Sequence, residues 1–233
     1  MIINLLFSQP LFFIAWVLAI ILALSAHECS HALAAYWQGD PTAKNMGRLT
    51  LNPLAHLDPL GTILLLFVGF GWGKPVPFNP YNLKNQKYGP AIISIAGPGA
   101  NFIMAGISGF VLRMLLVHTS LGLDNLGIMF LVLLVFINLI LMVFNLIPIP
   151  PLDGSKILFA LLPVSTMDFQ MKLERSGPLL ILALIILDRI LPVSILGFLL
   201  LGIIAKIGNL FVPNFFTCLL YTSDAADELD GVD

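Results

Sequence analysis

His27-Glu28-Cys29-Ser30-His31 lies near the end of an apolar run that begins at residue 11, and this placement decides how the chain is read. Two histidines at i and i+4 share one helix face a turn apart, so both imidazoles can reach a single metal ion. Glu28, beside the first of them, can touch a water on that metal without being a ligand, which is the position of a general base. Cys29 and Ser30 point off that face. Residues 11–26 carry no charge, and with residues 27–37 appended they predict a helix of about 28 residues, roughly 42 Å long, ending at Gly39-Asp40-Pro41. Such a helix crosses a bilayer and holds the His-Glu-His group at membrane depth, where ionisable residues are rare and mark function.

The whole composition agrees with a membrane setting. At 233 residues, 58% hydrophobic and 10% charged, with mean hydropathy +0.98, the chain is too apolar for a water-soluble domain. The expected fold is an all-α polytopic membrane protein, a helical transmembrane bundle with the lipid bilayer as its surroundings. A formal charge of -2 and the absence of basic clusters interleaved with aromatics exclude a nucleic-acid partner. Two cysteines, Cys29 and Cys218, form no disulfide framework. The N-terminus lacks the positive segment of a secretory signal and leads directly into the motif, so it reads as a retained first span.

Residues 40–59 are polar and loop-like, with His56 and Asp58 readable as a weak metal pair or, more simply, as a turn with a capping Asp. Residues 60–72 are apolar but too short to span, which suggests a re-entrant or β-hairpin segment near the active site. Residues 73–81, with Lys74-Pro75-Val76-Pro77-Phe78, read as extended backbone bordering that cleft. A second span runs from Gly89 to Val117 and carries Gly97-Pro98-Gly99-Ala100-Asn101. Asn101 there is either an interhelical hydrogen bond or a contact to substrate or to the metal site. A third span, 126–147, breaks at Asn145-Leu146-Ile147-Pro148-Ile149-Pro150-Pro151-Leu152-Asp153-Gly154. Proline-broken backbone at membrane depth brings Asn145 and Asp153 together and makes Asp153 the favoured third ligand. Asp188 competes, although Arg189 and Pro192 beside it suggest an ion pair at a helix end. Apolar segments 177–191 and 193–212 close a single membrane-embedded domain over residues 1–212. Residues 213–233 read as a disordered acidic tail, and the string from Cys218 looks like translated sequencing adapter, foreign to the domain.

With His27-Glu28-x-x-His31 in the first span, Gly97-x-x-x-Asn101 in a middle span and Asn145-x-x-Pro148 leading to Leu152-Asp153-Gly154, the chain resembles the site-2 protease family of intramembrane zinc metalloproteases over residues 10–212. Arg48-Leu49-Thr50-Leu51-Asn52-Pro53, the run from Asp58 to Thr62, and Gly73-Lys74-Pro75-Val76-Pro77 resemble its compact bacterial and archaeal branch. The resemblance implies one zinc per chain held by His27, His31 and Asp153, with Glu28 as acid/base. It also implies that Asn145 helps hold a substrate carbonyl, that the substrate is a transmembrane protein and that the home is a prokaryotic cell membrane. Other branches carry PDZ or CBS domains, for which these 233 residues leave no room, so substrate gating is expected to come from another protein.

Two rival readings remain at this level. A membrane transporter or metal-binding membrane protein would use the same buried His and Asp residues, but has no use for a Glu between ligands. A prenyl-protein peptidase would want a second glutamate on another span, whereas Glu174 is expected in a polar loop. The loop charges add an orientation. Lys44, Arg48, Lys74, Lys84, Lys87, Lys172 and Arg175 fall on one side and little beyond Arg113 and Arg189 on the other, so the Lys-rich side is expected to be cytoplasmic.

Overall fold

The computed structural model describes residues 5–191, 194–215 and 217–219. A short turn, α1 (Leu5–Ser8), leads into α2 (Pro10–Trp37), which opens on a proline at its first position, where the missing N–H costs nothing. There follow α3 (Thr42–Asn45), α4 (Pro59–Val68), α5 (Gly89–His118), α6 (Leu126–Asn145), α7 (Asp153–Leu161), α8 (Met167–Ile190) and α9 (Ile195–Phe211). Among the described residues there is no strand, only an isolated bridge between Leu57 and Gly73. Helices α2, α5 and α6 are long and apolar enough to cross a membrane. The protein is an all-α membrane protein.

These three helices form the central bundle. On α2, Ala15, Ala19 and Ala23 recur every fourth residue, so one face is small and lets α6 approach with Met129, Leu133, Leu134 and Ile137. On the far side of α6, Val132, Val135, Leu139 and Val143 pack with Leu112 of α5 and Ile204 of α9. The large side chains left outside are apolar too: Leu11, Ile14, Leu18 and Leu22 on α2, Ile103, Ile107, Phe110 and Met114 on α5, Leu179, Leu182 and Ile186 on α8. Apolar exposure this extensive fits a hydrocarbon solvent.

Several expectations change. The 40–59 loop contains α3 and a single 3-10 turn at Pro53–Ala55. Asp58 is a helix cap, accepting from the Gly61 N–H at 2.8 Å, and His56 is fully buried with Nε2 at 2.8 Å from the Thr50 carbonyl, so neither belongs to a metal site. Residues 60–72 form the ten-residue α4, roughly 15 Å long and too short to cross, followed by extended chain. Glu174 lies on α8, not in a loop, and pairs with Lys156 at 2.6 Å. Helix α8 runs straight through Pro178 and joins the polar residues 167–176 to the apolar segment behind them. Phe215, assigned to the tail, is fully buried against α5, α6 and α9, so the domain continues past residue 212. Residues 220–233 lie outside the described residues, as does the Arg189 side chain.

Beyond the end of α2 the chain is tied to the start of α5 through Asp40. Its buried carboxylate accepts from Thr42 Oγ1 at 2.6 Å, the Asn79 N–H at 2.6 Å and Asn82 Nδ2 at 2.8 Å. Burial alone would raise this carboxyl, but the hydrogen bonds from Thr42, Asn82 and Asn79 outweigh it and hold the group below the usual carboxylate range. A depressed folded-state pKa contributes stability above the unfolded value of about 3.9, and that contribution is lost as pH falls through the folded value. Protection of residues 79–82 from hydrogen exchange, relative to the intrinsic rate at each pH, is therefore expected to fall in acid below pH about 4, and in Asp40→Asn to be low throughout the same window.

Candidate metal centre

Three ligand atoms from two helices converge. His27 and His31 are buried one turn apart on α2, and Asp153 opens α7. His27 Nε2 is 3.0 Å from His31 Nε2 and 3.2 Å from Asp153 Oδ2, and His31 Nε2 is 3.3 Å from the same oxygen. Among the described residues this is the one His/Cys/Asp/Glu group able to hold a metal ion.

The protons show what the triangle is for. His31 Nδ1 is 2.7 Å from the Ile93 carbonyl, which can only accept, so this ring carries a proton on Nδ1 and in its neutral form turns the lone pair of Nε2 to Asp153. His27 Nδ1 is 2.6 Å from Asn101 Oδ1, and the other end of that amide donates to the Ala23 carbonyl at 3.1 Å, which fixes its orientation. His27 therefore also donates from Nδ1. With both rings neutral, as metal ligands must be, three lone-pair atoms face one another, and Asp153 Oδ2 is buried 3.2 and 3.3 Å from the two Nε2 atoms. Such an arrangement is repulsive unless a cation sits among them. Ligands about 2.0–2.1 Å from a tetrahedral ion stand about 3.3–3.4 Å apart, so the observed triangle fits one. Glu28 is also buried, and its Oε2 has no hydrogen-bond partner.

Two close approaches build this geometry. An added Cβ at Gly97 would lie 2.5 Å from His31 Nε2 and 2.7 Å from His27 Cε1, so α5 can cross the imidazoles only where it has no side chain. One turn later Asn101 reaches His27, which explains the Gly97-x-x-x-Asn101 spacing. At the other ligand, a Cβ on Gly154 would lie 2.2 Å from the Leu146 carbonyl, so the first turn of α7 rests directly on the end of α6.

The remaining sequence candidates separate. Asn101 is fully buried and bonds both across helices, to Asn138 and the Ala23 carbonyl, and to His27 of the triangle. Asn145 is half-buried at the last turn of α6 and donates to the Leu141 carbonyl at 2.9 Å. Asp188 accepts from Ser194 Oγ at 2.6 Å, away from the triangle. Arg48 was missed by sequence reasoning: it is buried, donates to the carbonyls of Lys74 and, at 3.2 Å, Pro75, and its Nη2 lies 3.5 Å from His56 Nδ1. That clamp fixes the extended chain beside α2. Gly73 packs against Leu24 and Phe78 against Ala34, Ala35 and Ile93, so residues 73–78 pass the turn that carries His27 and Glu28.

Comparison with known proteins places this site in a family. The model of "Peptidase family M50" matches residues 118–187, the stretch that carries Asn145 and Asp153. A Bacillus subtilis (strain 168) protein named "Putative zinc metalloprotease YwhC" is 41% identical over 177 residues, covering 73% of this chain and 79% of its own length. The chain belongs to peptidase family M50. Another M50-like relative, "Putative zinc metalloprotease Rip2" of Mycolicibacterium smegmatis, is 33% identical over 144 residues, 58% of this chain and 52% of that one. The protein of the same name from Mycobacterium tuberculosis (strain H37Rv) is 31% identical over 142 residues. No solved structure matches the chain.

The crossing at Gly97 gives this M50 protein a clear test. Gly97→Ala should force α5 off the imidazoles, costing about 1–3 kcal/mol of stability and weakening metal binding, read by thermal unfolding and zinc titration. Gly99→Ala, where an added Cβ meets nothing within 4 Å, should leave both unchanged.

Proposed function

We propose that this M50 protein is an intramembrane zinc metallopeptidase that hydrolyses peptide bonds in or near transmembrane segments of membrane-protein substrates. The observation that carries the reading is the convergence of bare His27 Nε2, His31 Nε2 and Asp153 Oδ2 beside the unpartnered carboxylate of Glu28. His27, His31 and Asp153 would hold one zinc per chain and leave a fourth position open, as catalytic sites do. Bound there, zinc supplies a Lewis acid that polarises a peptide carbonyl and brings the pKa of a water to about 7. Glu28 accepts the water's proton, the water oxygen bonds to the peptide carbon, and Glu28 returns the proton to the amine nitrogen as the C–N bond breaks. Asn145, which ends α6 beside the break that delivers Asp153, is assigned to hold the substrate carbonyl.

A transmembrane substrate hides its peptide groups in its own helix and must unwind locally to be cut. The chain offers it an extended neighbour. Val76 sits between two prolines, and among the described residues nothing engages its N–H or C=O. One free donor and one free acceptor on a single residue suit pairing with an extended substrate strand, and Arg48 keeps that segment in place. The home we assign is a prokaryotic cell membrane, crossed more than once, with the end of α2 on the cytoplasmic side. Lys44 and Lys84 gather at that end, Lys44 on the Tyr36 hydroxyl and Lys84 on the Trp37 carbonyl.

Glu28→Gln should retain zinc while losing cleavage of a model transmembrane substrate by at least about a hundredfold, because the amide cannot take up the proton. Unimpaired turnover in that variant would remove the mechanism. Asp153→Ala should lose zinc as well as activity, measured as metal content of the purified protein.

For orientation, a membrane-impermeant thiol reagent applied to intact cells should spare Lys84→Cys and label Asn4→Cys, both in a Cys29→Ala, Cys218→Ala background. The opposite pattern inverts the topology.

A further inference from the structure

The polar support of the metal site does not end at Asn101. Asn138 is fully buried in the middle of α6, a helix whose neighbouring residues are apolar throughout. Its Oδ1 accepts from Asn101 Nδ2 at 2.8 Å, and its Nδ2 donates to the Leu134 carbonyl at 2.8 Å. Both amides are therefore pinned at their donor ends, Asn101 by Ala23 and Asn138 by Leu134, and a carbonyl can only accept. Neither amide can turn over without facing a carbonyl with its own oxygen. Donation runs one way along the row, from His27 to Asn101, from Asn101 to Asn138 and from Asn138 to its own helix.

We propose that Asn138 is a positioning residue for the metal site. By taking the Asn101 Nδ2 donor at 2.8 Å, closer than the Ala23 carbonyl at 3.1 Å, it acts with Ala23 to keep Asn101 Oδ1 turned to His27, so that the neutral His27 keeps its proton on Nδ1 and its Nε2 lone pair towards His31 and Asp153. The inference rests on the metal-site reading above. Each of the three membrane-crossing helices contributes one member of the row: His27 from α2, Asn101 from α5 and Asn138 from α6. The orientation of a ligand on α2 is thereby set by the register of α6, a helix that holds no ligand itself. A purely structural amide would need only any partner, whereas this one presents its acceptor to the group that orients His27. Outer partners of metal-ligating histidines commonly matter in this way.

The test is zinc titration of the purified full-length protein. Asn138→Leu, close in size and apolar, removes the acceptor, and zinc affinity should fall about 10- to 100-fold, with the histidine tautomer separating this from any loss of thermal stability that a buried interhelical bond carries by itself. Asn138→Asp should rescue binding, since a protonated carboxyl there still accepts from Asn101 and donates to Leu134. Because Asn138 acts through Asn101, Asn138→Leu should add no further loss in an Asn101→Leu background. Nitrogen-15 spectra of labelled histidine in the metal-free protein give a readout without zinc: His27 should be protonated on Nδ1 in the wild type and mixed between its nitrogens in Asn138→Leu. Unchanged affinity and tautomer in Asn138→Leu, or an equal loss of affinity when Asn101 is already Leu, would overturn the proposal. A wild-type protein that binds no zinc would sink the metal-site reading, and the tautomer comparison would then decide on Asn138 alone.

Discussion

The crossing of α5 over two imidazoles at Gly97 is the contact on which the rest depends. A helix that passes within van der Waals distance of both histidine rings closes one side of the site and brings the Ile93 carbonyl to His31 and the Asn101 amide to His27. Both rings are thereby oriented through Nδ1, which leaves their Nε2 atoms to meet Asp153. The small-residue face of α2 does the same for α6, since Ala15, Ala19 and Ala23 let the third helix close on the first. In hydrocarbon there is no hydrophobic force to press helices together, so close backbone approach and interhelical hydrogen bonds carry the association. The site and the bundle are stabilised by the same contacts.

Much of this was legible in the chain because its signals are local. The i, i+4 spacing of His27 and His31 needs only helix geometry, and the span around it needs only composition. Asp153 was found from the proline-rich break that precedes it, and it does meet both histidines. What sequence could not give were the partners that are backbone. The Ile93 carbonyl has no side-chain signature, and the reason for Gly97 appears only once α5 is laid against α2. Asn138 was passed over in its apolar span, because its meaning needs two further helices. Arg48 reads as a loop cation, yet it is buried because the carbonyls of Lys74 and Pro75 converge on it. Helix α8 was read as a polar loop and an apolar segment from residue 177 because the composition changes there, whereas one helix runs through both and through Pro178, a proline that removes one hydrogen bond without ending it.

The buried polar groups share a solution. Asn101, Asn138, His31, His56 and Arg48 all end on main-chain carbonyls. A carbonyl is a fixed acceptor with no proton to give, so each such ending orients the group that donates to it, which a hydroxyl or water would not do. In an apolar interior this orientation persists, because the alternative leaves a donor unpaired at a cost of several kcal/mol. Directionality, more than the number of bonds, is what the bundle supplies to the metal site.

The ligands differ in how they are held, and this has a consequence for the empty side of the site. His27 and His31 belong to one helix and are set relative to each other by its pitch alone. Asp153 arrives from outside the central bundle, at the end of a seven-residue connection that leaves α6 at Leu146. That connection is kept short of freedom by contact: Gly154 rests on the Leu146 carbonyl, and Ser155 Oγ bonds back to the Leu152 carbonyl at 2.6 Å. Further along, α7 packs against α5, the same helix that crosses the imidazoles, while the exposed pair Lys156 with Glu174 towards α8 contributes little. The carboxylate is therefore placed by packing against α5 and the end of α6, not by a helix shared with the histidines. Helix α5 thereby serves all three ligands, the imidazoles through the Ile93 carbonyl and the Asn101 amide and the carboxylate through its packing on α7, so the side of the site away from α5 is where a substrate carbonyl can approach without disturbing any of them.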